Sequence, residues 1–195
     1  MELMEAIRGR RSLGRVKADP IPRETIELIL EAGNWAPSHH HTEPWRFIVM
    51  TGSGRDVLAR AYGDIAAERA KVSDEPALAE LRAKHGAKAY RAPVVIAVTV
   101  KPSDDPGVIR IEEFAAAHAA VQNMLLMAHS LGLGAIWRSG EPIYHARMKE
   151  ALGMDENEWL VGLVYAGVPD MAAPAGRRKP AADKTVWLDG TESNK

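Results

Sequence analysis

Arg8, Arg10, Arg11, Ser12 and Arg15 put four guanidinium groups and a hydroxyl within eight residues. Arginine forks match phosphate oxygens, and a serine hydroxyl can complete such a shell. The competing reading is structural: cations at a helix C-terminus complement the macrodipole, an effect worth about 0.3–1 kcal/mol at exposed sites. Neither GxGxxG nor GxxxxGK[ST] occurs, so no glycine-rich loop offers an alternative phosphate site.

The second dense stretch runs from Gly33 to Phe47, GNWAPSHHHTEPWRF. Pro37 and Pro44 remove two backbone donors and restrict the residues before them, so this connection should be stiff. A stiff loop with aromatic and polar side chains suits a flat ligand. His39, His40 and His41 do not read as a metal site, because consecutive loop residues cannot readily aim three imidazoles at one ion and neither HExxH nor cysteine is present. Trp35, Trp45, Trp137 and Trp159 are core residues by default. Trp137 differs in being followed at once by Arg138, Ser139 and Gly140 at a strand end. No Ser/His/Asp triad is claimed, and no catalytic side chain is assigned.

The elements that position these residues follow from periodicity. Leu3, Met4 and Ile7 mark a first helix that ends at Gly9, and Pro22 opens a second that runs to about Gly33. Phe47 to Met50 is a buried strand. Val57, Leu58 and Tyr62 suggest a third helix, and residues 75–88 a fourth, capped by Ser73-Asp74. Pro93 to Val100 is apolar on both faces, as in a central strand. Glu112 to Leu131 is a helix apolar nearly all round, whose many alanines would let another helix approach closely, which fits a subunit interface. Ala135 to Ser139 returns as a strand, Pro142 to Leu152 is a short helix, and Trp159 to Ala166 is a buried strand. The tail is rich in turns, with a last short strand expected at Thr185 to Leu188.

The length of 195 residues favours one domain, 1–195. A formal net charge of −1 gives no global case for nucleic acid. The absence of cysteine excludes disulfides and thiolate chemistry and is compatible with a reducing compartment. Without a signal pattern or an apolar run of membrane-spanning length, a cytoplasmic protein is expected, with no membrane partner.

Taken in order, RRSLGR, APSHHHTEPWRF, RAPVVIAV, LGLGAIWRSG, VGLVYAGVP and GRRKP resemble the nitroreductase-like flavoprotein superfamily, and in particular its short, minimal members. The resemblance covers Met4 to Trp187. It implies an α+β fold, a three-layer α/β/α sandwich around a mixed, mainly antiparallel sheet, in an intertwined homodimer with two flavin sites at the interface. It also implies non-covalent FMN that accepts a hydride from NADH or NADPH at N5 and passes it to nitroarenes, quinones or related small-molecule acceptors. By the same resemblance Arg10, Arg11 and Ser12 hold the FMN phosphate with Arg178, while Arg15 is less firmly matched. Trp137, Arg138, Ser139 and Gly140 pass the isoalloxazine, and Trp35 and His39 reach it from the other subunit. His41 stands where many relatives have an Asn on the pyrimidine edge, and Glu43 where most have Gln. The alternatives are a flavin-fragmenting or reductive-dehalogenating activity on the same fold, or a non-catalytic flavin-binding module.

Overall fold

The computed structural model describes residues 1–70 and 72–188 of the chain; residue 71 and residues 189–195, the end of the expected domain, lie outside the described residues. The elements in order are α1 (Leu3–Gly9), α2 (Arg23–Asn34), β1 (Trp45–Thr51), α3 (Asp56–Arg69), α4 (Glu75–Gly86), β2 (Val94–Val100), α5 (Arg110–Ser130), β3 (Gly134–Arg138), α6 (Ala146–Ala151) and β4 (Trp159–Gly167).

The continuous β-branched run of β2 has no polar side to turn to water, and every residue of it is buried. It pairs antiparallel with β1 and β4, and β3 completes the order β1-β2-β4-β3. Strand alternation sends Val94, Ile96, Val98 and Val100 into the core under α2 and α5, while Val95 and Ala97 face the core under α3 and α6. The result is the expected three-layer sandwich. All four strands are antiparallel, and the parallel component of the sheet is an isolated bridge between Ser12 and Ala135. Asp74 caps α4 by accepting a hydrogen bond from the Ala77 amide at 3.0 Å.

Three expectations need correction. The helix expected over 142–152 begins only at Ala146, where the His145 side chain accepts from the Arg147 amide. Thr185 to Leu188 is not a strand: the chain makes a 3-10 turn at Ala181–Lys184 and then leaves Val186, Trp187 and Leu188 exposed. A strand needs a ladder partner, and this segment pairs with none among the described residues. The small residues of α5 are spent inside the chain, since Ala116, Ala117, Ala120 and Val121 are buried in the core shared with α2 and the sheet. What α5 presents outward is the stripe Ile111, Ala115, His118 and Gln122, spaced three and four residues apart. No helix of the described residues is long and apolar enough to cross a membrane.

One polar network ties the sheet together. Glu158, 3% exposed, receives both forks of Arg46 at 2.7 Å, the Asp155 amide at 3.0 Å and the hydroxyl of fully buried Thr99. Burial alone would push its carboxyl up, but the hydrogen bonds from Arg46, Thr99 and the Asp155 backbone, with the Arg46 charge, leave it below the usual carboxylate range. A depressed carboxyl contributes stability above the unfolded value near about 4.3 and loses it as pH falls through the folded value. Because Arg46 is half exposed, Glu158→Gln should cost about 1.5 kcal/mol at pH 7, the low end for a charged hydrogen bond, or about 3–6 °C in thermal midpoint. The gap from the parent should close below pH 4; a gap equal at pH 7 and pH 3 would refute the assignment.

Candidate active site

Beyond α1 the chain does not leave the sheet. Residues 12–17 run alongside β3 and the end of β4, with the Leu13 amide donating to the Ala135 carbonyl at 3.0 Å and the Lys17 amide to the Val168 carbonyl at 2.8 Å. Arg11 sits at the start of this run, and its Nε and Nη1 donors are spent on carbonyl oxygens. Nη1 reaches Arg8 at 2.6 Å and Arg10 at 2.8 Å, and Nε reaches Pro174 of the tail at 3.0 Å. Gly176 lies so close that any side chain there would overlap the Arg11 guanidinium. Arg11 thus fastens the tail, and Arg15 adds a second tie by donating to the Asp170 carbonyl at 2.7 Å.

The fastening brings Arg178 up to Arg10. Burial and then the charges of Arg11 and Arg178 lower the Arg10 guanidinium below its ordinary value. Among the described residues no carboxylate forms an ion pair with Arg10, Arg11 or Arg178. Ser12 is exposed beside them.

At the end of β3 the side chains alternate. Trp137 turns to the α5 side, where its indole N–H donates to the Val161 carbonyl at 3.3 Å and its ring meets His118 at 5.5 Å. Its bed is Gly162, where a Cβ would overlap the indole. Arg138 turns the other way, its guanidinium 5.7 Å from the Tyr165 ring, near Gly14. Its Nε is buried without a hydrogen-bond partner. Ser139 is exposed, and Gly140 takes a left-handed φ of 80°.

A further group of cations continues from Arg138 and was missed in the sequence. Arg91 and Arg138 both bear on the hydroxyl pair of Tyr62 and Tyr165, 3.2 Å apart, whose burial pushes both phenols up. Lys88 lies next, 3.1 Å from His85 Nδ1 and 5.8 Å from the Tyr62 ring. Burial and then the neighbouring positive charges lower both Lys88 and His85. They line a cavity of about 330 Å³ with Tyr62, Arg69 and Pro142. The signal was present as His85, Lys88 and Arg91 at intervals of three, one face of a tight turn.

Trp35, His39 and His41 are elsewhere. Trp35 is 77% exposed, its indole held by Glu31 at 2.6 Å, and His39 Nδ1 lies 2.5 Å from Glu112 near the start of α5. His40, His41 and Glu43 have φ of 58°, 54° and 45°. Left-handed conformations cost a non-glycine residue about 1–2 kcal/mol each, so the stiffness expected from the prolines takes the form of a strained turn. Arg10 follows Gly9, which packs on His129 near the far end of α5. At 1.5 Å per residue, Glu112 and His129 are about 25 Å apart. One chain therefore gathers Arg10, Arg11, Ser12 and Arg178 where Ser12 meets Ala135 of β3, the strand that ends at Trp137 to Gly140, but not Trp35, His39 or His41.

Residues 7–168 match the Nitroreductase family. The "Putative NAD(P)H nitroreductase YfhC" of Bacillus subtilis (strain 168) is 31% identical over 183 residues, covering 93% of this chain and 92% of its own. Among solved structures, a "Nitroreductase-like Family Protein" from Bacillus cereus has a TM-score of 0.82 at 28% identity over 97% of each chain. A "putative nitroreductase in complex with fmn" from Desulfovibrio desulfuricans has a TM-score of 0.72 at 33% identity over 96% of each. Likeness of this extent defines an oxidoreductase of the nitroreductase type. The chain belongs to the nitroreductase family.

The role of Arg11 is testable without any ligand. Arg11→Lys keeps the charge but loses the fork, so the tail around residues 171–180 should be cut by protease several times faster than in the parent. Equal cleavage rates would show that Arg11 does not hold the tail.

Proposed function

We propose that the protein is a homodimeric FMN-dependent NAD(P)H oxidoreductase that reduces nitroaromatics, quinones or related small acceptors by a ping-pong cycle. The observation that carries this reading is the cluster of Arg10, Arg11 and Arg178 without a carboxylate partner among the described residues. Guanidinium groups held together against their mutual repulsion suit a phosphate monoester. The unpartnered Nε of Arg138 and the cations Arg91 and Lys88 extend the positive charge away from that cluster. An elongated ligand with a phosphate at one end and, at the other, a ring that gains negative charge on reduction fits this distribution, and FMN is the ligand named with the Desulfovibrio relative.

Bound there, the flavin supplies hydride transfer at N5 between NADH or NADPH and the acceptor. The chain supplies position and charge. Arg10, Ser12 and Arg178 hold the phosphate, and Arg11 keeps Arg178 in reach. Backbone amides at Ser139 and Gly140 orient the ring, with Trp137 as a fixed wall. Arg91 and Lys88 would favour negative charge at its polar edge. No side chain is assigned as an essential acid or base, and the proton comes from solvent or substrate.

The second chain enters through α5. A two-fold axis across the outward stripe near His118 and Gln122 sets two copies of α5 antiparallel, so each chain's Glu112 end faces its partner's His129 end. Trp35 and His39 of the partner subunit then stand beside Arg10, and His41 follows on the same turn. The exposed Val186, Trp187 and Leu188 suit an apolar groove of about 570 Å³ that Ile21, Leu30 and Val49 help to line beside the edge strand β1 of a second copy.

The test is affinity for FMN against riboflavin. A charge-assisted hydrogen bond is worth about 1.5–3 kcal/mol, so Arg10→Glu and Arg178→Glu should each weaken FMN at least about tenfold and leave riboflavin unchanged. Parent-like FMN binding in both variants would remove the phosphate assignment.

A further inference from the structure

The proposed mechanism makes no use of a carboxyl buried beneath the strained turn. Glu113 on α5 is 1% exposed. One of its oxygens accepts the Thr42 hydroxyl at 2.5 Å, and the other accepts the Ser103 amide at 3.2 Å. Both partners are donors, so both oxygens must be acceptors. The Thr42 hydroxyl has one proton and gives it to Glu113. The Ser38 hydroxyl, 3.2 Å from Thr42 Oγ1, therefore donates to it, and Ser38 Oγ in turn accepts the Glu43 amide at 2.9 Å. This chain of bonds starts at a carboxylate in the core and ends at a left-handed residue of the strained turn. Each hydrogen bond then points toward the carboxylate, with the His39 carbonyl, 3.4 Å from Thr42 Oγ1, as a second and longer acceptor. The turn it spans holds His40, His41 and Glu43, and His39 is tied separately to the adjacent Glu112.

We propose that Glu113 is a positioning residue of the active site. Through Thr42 and Ser38 its carboxylate holds the left-handed turn 40–43 and so fixes where His39 and Trp35 are presented to the second subunit. Strained backbone persists where its surroundings over-determine it, and Glu113 is the buried anchor of those surroundings. The carboxylate is required for a stated reason. A glutamine has the same shape, but once its oxygen accepts the Ser103 amide its NH2 must donate to Thr42 Oγ1, which reverses that bond and sends the Thr42 proton to Ser38 or to the His39 carbonyl, 3.4 Å away. The assignment rests on the reading that this turn borders the flavin of the partner.

The experiment uses the full-length protein, FMN-free and FMN-loaded, with Glu113→Gln, Thr42→Val, Thr42→Ser and His39→Ala. Hydrogen exchange at the Glu43 amide should quicken at least tenfold in Glu113→Gln and Thr42→Val, and return to the parent rate in Thr42→Ser, which keeps the hydroxyl. FMN should dissociate faster in the first two variants and not in Thr42→Ser. Thr42→Val leaves α5 untouched and serves if Glu113→Gln does not fold. Unchanged exchange in Glu113→Gln and Thr42→Val overturns the proposal. So does faster exchange with parent-like FMN dissociation in a background where His39→Ala does weaken FMN. If His39→Ala leaves FMN binding unaltered, the reading that the turn borders the flavin fails instead, and the exchange rates alone decide whether Glu113 holds the turn.

Discussion

Arg11 joins the two ends of the chain. Its guanidinium links the carbonyls at the end of α1 to Pro174 in the tail, 163 residues away. Beyond the Arg15 tie at Asp170, that fork is what holds the tail on its way to Arg178, because a tail of exposed residues has little apolar area to keep it in place. The cost is repulsion between like charges in a partly desolvated place, visible in the lowered Arg10 value. A site that stays positively charged without an internal counter-ion is destabilised when empty and gains from an anion that binds the folded state alone. Stability and ligand binding are therefore coupled at this point of the fold.

The second constraint is the length of α5. A 21-residue helix is about 30 Å long, and the two groups of residues proposed for the site sit near its opposite ends. Core packing gives the helix no freedom to shorten that distance, since its small residues close against α2 and the sheet. Bringing the groups together requires a second helix running the other way. The outward stripe of α5 and the exposed side chains Leu3, Met4 and Ile7 of α1 leave apolar surface for that purpose. The strained turn and its buried carboxylate then acquire a reason: a contact made across an interface must be rigid before the partner arrives.

The architecture was legible wherever a single element decided it. The run of β2, apolar but for Thr99, required cover on both faces, and the Asp74 cap, Gly9 at the end of α1 and Gly132 after α5 marked helix ends. The arginines stood out in the sequence as two basic segments, but not the contacts that join them. That Arg11 would spend its donors on carbonyls depends on a contact across the whole chain, which no local pattern contains. The inward face of α5 was misread for a similar reason: alanines that permit close approach do not say which helix approaches. Gly162 gave no signal, because its need arises from the Trp137 indole lying across it. The left-handed turn was hidden as well, since histidine and glutamate are not the residues that announce a positive φ.

The central claim is that each site takes its phosphate cluster from one chain and its tryptophan–histidine turn from the other. Subunit mixing tests it directly. Arg10→Glu and the double variant Trp35→Ala/His39→Ala should each bind FMN poorly alone. After unfolding and refolding together in equal amounts, half the dimers are mixed, and each mixed dimer holds one site with both halves intact. Isologous pairing thus predicts tight FMN binding restored at about a quarter of all sites. No restoration, with mixed dimers demonstrated by mass, would mean that each site is built within a single chain.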